Sequence, residues 1–153
     1  MSRAARVFSP VAMALVAVLL TACGVFTAPA PTPAEMDDVI AQLVLRGATI
    51  HRLVSGDAGC PSSGLHDNAV HMEISLDTQS ATHEIYLLRW RRPSDYDAAA
   101  QAFTDCVTEY GSLNAGQVVS QVDSNPWRAY GPGWTPQLQQ TLVDALHAAG
   151  GGQ

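Results

Sequence analysis

Val70-His71-Met72-Glu73-Ile74-Ser75-Leu76 decides the fold. Apolar side chains occupy every second position and polar ones the positions between, which is the period of a strand with one face in a core. Asp77 to Thr82 reads as a turn, and Glu84 to Arg91 returns as a second strand, so the two segments pair as a hairpin. Working outward, a strand is expected at Thr49–Val54 upstream and another at Gln117–Val122 downstream.

Helices separate these strands. Met36, Val39, Ile40, Leu43 and Val44 fall at i, i+3, i+4, i+7 and i+8, one face of a helix that Gly47 ends. Thr32-Pro33-Ala34-Glu35 before it reads as a capping box with proline at the first helical position. Pro93, with Ser94 and Asp97 as a second capping box, opens a helix whose inward face is Tyr96, Ala99, Ala100, Phe103, Cys106, Val107 and Tyr110, closed by Gly111. Thr135-Pro136 opens the last helix, with Leu138, Leu142, Ala145 and Leu146 inward. The order α-β-β-β-α-β-α predicts a single α+β domain over residues 34–150. Its expected form is a four-stranded, mainly antiparallel sheet with helices packed on one face. Residues 151–153 read as a disordered tail.

The N-terminal region has a different character. Arg3 and Arg6 precede a stretch, Val11 to Ala22, in which every residue except Thr21 is Val, Ala, Met or Leu. Twelve helical residues span about 18 Å at ~1.5 Å per residue, short of a hydrocarbon core of about 30 Å. The stretch therefore suits a secretion leader better than a spanning anchor. A plain signal-peptidase site wants small residues at −1 and −3, and Leu20 stands at −3 for a cut before Cys23.

Leu20-Thr21-Ala22-Cys23 instead resembles the lipobox of bacterial lipoproteins. The resemblance covers the leader and Cys23 alone. It implies that residues 1–22 are removed and that Cys23 carries a thioether-linked diacylglycerol. The protein would then be held by its lipid at the extracytoplasmic face of the cell membrane, or of an outer membrane where the organism has one. Two acyl chains suffice for stable anchoring without a transmembrane helix. Residues 23–33, with Pro29, Pro31 and Pro33, read as an extended tether.

Cysteine count fits that reading. The chain has three cysteines, and lipidation of Cys23 leaves Cys60 and Cys106 to form a disulfide in an oxidising compartment; the alternative is two separate buried thiols. Beyond residue 22 the chain has six Arg and no Lys against fourteen acidic residues, a formal charge of −8. That balance argues against nucleic-acid binding, which needs a basic surface.

Candidate chemistry is sparse. Ser62 and Ser63 lack a G-x-S-x-G elbow, and His66 beside Asp67 does not make a triad. His71 and Glu73 share the exposed face of one strand, with His51 or His83 as candidate neighbours and His147 remote. A metal site drawn from them lacks an ordered ligand pair, and a solvated polar face is the simpler reading. Arg89-Trp90-Arg91-Arg92 is the single basic cluster, offering Arg89 and Arg91 to an acidic partner, or else pairing with local carboxylates. Trp127, Tyr130 and Trp134 surround Gly131-Pro132-Gly133, either as an aromatic binding platform or folded inward.

The sequence thus predicts a non-catalytic binding or protein-interaction module of the cell envelope, with no catalytic residue, metal or cofactor assigned and an envelope protein or small ligand as partner. The alternatives are a small hydrolase or metal-dependent protein using His71 and Glu73, and a purely structural envelope lipoprotein.

Overall fold

The computed structural model describes residues 35–61, 64–77 and 81–150. The expected leader, Cys23, the tether and the tail at 151–153 lie outside the described residues, as do Ser62 and Ser63. All described residues belong to one compact unit. The elements are α1 (Met36–Leu45), β1 (Ala48–Ser55), a 3-10 turn (His66–Asn68), β2 (Ala69–Leu76), β3 (His83–Arg89), α2 (Pro93–Ala98), α3 (Ala100–Leu113), β4 (Val119–Ser124), β5 (Trp127–Pro132) and α4 (Pro136–Ala149).

Among the described residues, five strands form one sheet in the order β1-β2-β3-β5-β4, antiparallel at every pairing. The α+β class and the β2–β3 hairpin are as the alternation predicts, with Val70 opposite Leu87 and Met72 opposite Ile85. Two features differ from the expected architecture.

First, the sheet has a fifth strand. Trp127–Pro132, expected as a Gly-Pro-Gly turn, is β5, and it inserts between β3 and β4. Gly131 serves there for close approach: an added Cβ would lie 2.2 Å from the Glu84 carbonyl oxygen and 2.6 Å from Trp134 Nε1. Without that Cβ, the Trp134 indole lies across the strand and donates to the Glu84 carbonyl at 2.8 Å.

Second, helices cover both faces. Met72, Ile74, Ile85, Leu87, Trp127 and Ala129 pack with Val39 and Leu43 of α1 and Leu138, Leu142 and Leu146 of α4. Tyr86, Leu88 and Tyr130 point the other way, onto Phe103, Cys106, Val107 and Tyr110 of α3 and onto Ala58, Cys60 and Leu65. The cause lies in β3, where Ile85-Tyr86-Leu87-Leu88 is a continuous apolar run buried on both sides. Such a strand needs a layer on each face.

Smaller corrections concern helix ends. α1 starts at Met36 with Glu35 as N-cap, whose N–H donates to Asp38 Oδ2 at 2.9 Å, so the reciprocal pair is Glu35 and Asp38; Thr32, expected as the cap, lies outside the described residues. Arg92, not Ser94, caps α2, and the expected single helix over Tyr96–Tyr110 is divided at Ala99, with Gly111 inside α3. Thr135 caps α4 as expected, its hydroxyl accepting from Leu138 N–H at 3.2 Å.

Candidate functional site

The α3 side of the sheet carries most of the described polar chemistry. Cys60 and Cys106 are joined as a disulfide, Cα–Cα 5.3 Å, which fastens the segment around Cys60 to α3 above the sheet. Gly59 makes that closeness geometrically feasible. It adopts φ +72°, and an added Cβ would come within 2.7 Å of both the Tyr130 hydroxyl and the Tyr86 ring. Tyr130 donates its hydroxyl to the Ala58 carbonyl. Tyr86 stacks on Tyr130 at 5.1 Å between ring centroids, and Tyr110 meets both rings edge-on at 5.3 Å.

His71 lies under this cover. It was expected on an exposed face; its relative exposure is 5%. The disulfide-tied segment and the Tyr86 ring, stacked on His71 at 4.5 Å, exclude solvent from it. Its Nδ1 is 3.2 Å from Asp57 Oδ2, but not aligned for a hydrogen bond, and neither ring nitrogen has a hydrogen-bond partner among the described residues. Two residues along, Glu73 is partly buried and pairs across the sheet with Glu84 of β3. One potential ligand atom from each of His71, Glu73 and Glu84 lies within 4.8 Å of the other two.

Each carboxylate has a partner among the described residues. Arg52 Nη1 donates to Glu73 Oε1 at 3.1 Å, and the Tyr110 hydroxyl donates to Glu84 Oε2 at 3.2 Å. The phenols respond to this setting. Burial, reinforced by the Glu84 and Asp57 carboxylates, pushes Tyr86 from 10.0 up to about 12. Tyr110 and Tyr130 are also raised, first by burial and then by the neighbouring phenols.

The other histidines do not join this group. Strand alternation places His83 on the opposite face, beside Ile85 and Leu87. His66 bonds the Gly56 carbonyl through Nδ1 at 3.1 Å, and His147 is exposed in the last turn of α4. His51 Nε2 is 2.8 Å from Ser75 Oγ, a nucleophile–base distance, but both are strand surface residues and no described carboxylate orients the imidazole.

The basic and aromatic candidates are placed mainly in structural roles. Arg89 is buried, lies over the Trp127 ring at 5.6 Å and binds the Glu35 carboxylate at 2.8 Å, clamping the start of α1 to the sheet. Arg91 is exposed and lines, with Arg89, Met36, Ser55 and Asp67, a cleft of about 200 Å³. Trp127 and Tyr130 are fully buried and Trp134 nearly so, which is the inward arrangement and leaves no exposed aromatic platform. Arg128, between them, is sandwiched against Tyr96 at 4.1 Å and paired with Asp123 at 3.2 Å.

Sequence reasoning singled out His71 and Glu73 but missed Glu84, Asp57 and Tyr110. The hairpin register would have supplied Glu84, since pairing Met72 with Ile85 sets Glu73 opposite Glu84. No family model matches the chain, and neither the curated proteins nor the solved structures compared with it give a match.

Proposed function

We propose that this chain is an extracytoplasmic lipoprotein, anchored through a lipid on Cys23, whose α+β domain is a non-catalytic binding or interaction module of the cell envelope. The observation that carries the reading is the Cys60–Cys106 disulfide. It suits an oxidising compartment, and it occupies two of the three cysteines, leaving as the third the one in Leu20-Thr21-Ala22-Cys23. Among the described residues no helix is long and apolar enough to cross a membrane, so attachment in this proposal rests on the lipid. The polar group at His71, Glu73 and Glu84 is the place where the domain would hold a ligand.

Fractionation of the producing cells tests the proposal. The intact chain should sediment with membranes, and Cys23→Ala should appear in the soluble extracytoplasmic fraction or as uncleaved precursor. Membrane retention of a cleaved Cys23→Ala chain would defeat it.

A further inference from the structure

We infer that His71, Glu73 and Glu84 form a binding site for a first-row transition-metal dication of the Zn²⁺ type. The backbone sets it up. His71 and Glu73 are i and i+2 on β2 and so share a face, and the antiparallel register brings Glu84 directly across from Glu73. The three potential ligand atoms lie within 4.8 Å of one another. Tetrahedral coordination at about 2.1 Å from the metal puts ligand atoms about 3.4 Å apart, a contraction that side-chain rotation can supply.

Two observations call for a cation there. Glu73 and Glu84 are like charges in directly opposed positions, an unfavourable arrangement by itself. Arg52 offsets it weakly, because its side chain is 56% exposed. The second observation is independent of charge. His71 is 5% exposed, with both ring nitrogens lacking a hydrogen-bond partner among the described residues, and an unsatisfied buried polar group costs about 1–3 kcal/mol. A metal on Nε2 would satisfy that atom and neutralise the carboxylate pair together.

The surroundings have the form of an outer coordination shell. Asp57 Oδ2 lies 3.2 Å from His71 Nδ1, so a small ring rotation would align the pair and leave Nε2 for the metal, while the Tyr110 hydroxyl holds Glu84 Oε2. One imidazole with two carboxylates selects Zn²⁺ and its neighbours over Ca²⁺ and Mg²⁺, which take oxygen ligands. Three protein ligands, two of them partly exposed, leave a coordination position open to solvent or to a ligand group.

This inference rests on the reading of the domain as a binding module, and not on the lipid anchor. The test is calorimetric titration of the detergent-solubilised full chain with ZnCl₂ after chelator dialysis, beside Glu73→Gln, Glu84→Gln and Cys23→Ala. We expect a single-site isotherm of micromolar affinity or tighter for the parent and for Cys23→Ala, at least tenfold weaker in each glutamine variant, with circular dichroism unchanged. Both variants alter partly exposed side chains, so folding does not depend on His71 replacement. Absence of Zn²⁺ binding by the parent, parent-like affinity in either glutamine variant, or an equal response to CaCl₂ would each overturn the site. Such a failure leaves the fractionation result for Cys23→Ala untouched, so the two proposals fail separately.

Discussion

Tyr130, on the inner strand β5, donates its buried hydroxyl to the carbonyl of Ala58, 72 residues away in sequence. The bond joins the innermost layer of the domain to the segment that the Cys60–Cys106 disulfide pins to α3. One consequence is that Tyr130→Phe, although nearly isosteric, strands a buried carbonyl. We expect a loss of about 1–3 kcal/mol, read as a lowered urea midpoint with unchanged slope. An unchanged midpoint would show that the hydroxyl contributes nothing.

The disulfide should matter to equilibrium stability as well as to local order. It closes a loop of about 47 residues, for which the chain-entropy model gives up to about 4 kcal/mol. Cys60→Ser with Cys106→Ser, compared with the oxidised parent in denaturant melts, should lose about 2–4 kcal/mol. Reduction of the parent should reproduce most of that loss.

Alkaline pH should unfold the domain through its phenols. The folded Tyr86 value, about 12, lies above its ordinary 10.0. Below pH 10 the neutral phenol is present in both states and its contribution is complete. Between pH 10 and about 12 the unfolded chain releases the proton while the native one keeps it, so stability falls as pH rises. Tyr86→Phe should flatten this decline, measured as melting temperature against pH; an unaltered slope would assign the effect elsewhere.

Gly131 should resist substitution. Gly131→Ala places a methyl group against the Glu84 carbonyl and the Trp134 indole, and overpacking of this kind costs about 1–3 kcal/mol. Because Glu84 also supplies one of the inferred ligands, the variant should weaken Zn²⁺ binding in proportion. A fully stable Gly131→Ala would mean that Trp134 has room to move.

Arg128 tests the aromatic packing. Its guanidinium lies over Tyr96, Trp90 and Phe103 at 4.1, 5.4 and 5.4 Å from their centroids. An ammonium cannot reproduce that planar stacking, so Arg128→Lys should destabilise by about 1–2 kcal/mol in thermal melts.

Legibility in the sequence followed the strength of local patterns. The alternation at Val70–Leu76 fixed both the strand and its inward face, and Thr135-Pro136 located the start of α4 to the residue. β5 was hidden because Gly131 and Pro132 signal a turn locally, whereas the sheet uses the glycine for its missing side chain. The second helical layer was readable in principle from the run Ile85-Tyr86-Leu87-Leu88, which no one-sided sheet would bury. Of the inferred metal group, His71 and Glu73 were visible as neighbours on one strand face. Burial of His71 was not, because it depends on a segment brought over the sheet by a bond between residues 46 apart. The tyrosines around it come from β3, α3 and β5, and only tertiary packing gathers them.

Intact-mass analysis of the mature protein, taken unreduced from native membranes, tests the proposed anchoring most directly. The expected species is a chain beginning at Cys23, heavier than its sequence by a diacylglyceryl group and lighter by the hydrogen pair that the Cys60–Cys106 bond removes. A chain that begins elsewhere, or one with an unmodified Cys23, would contradict it.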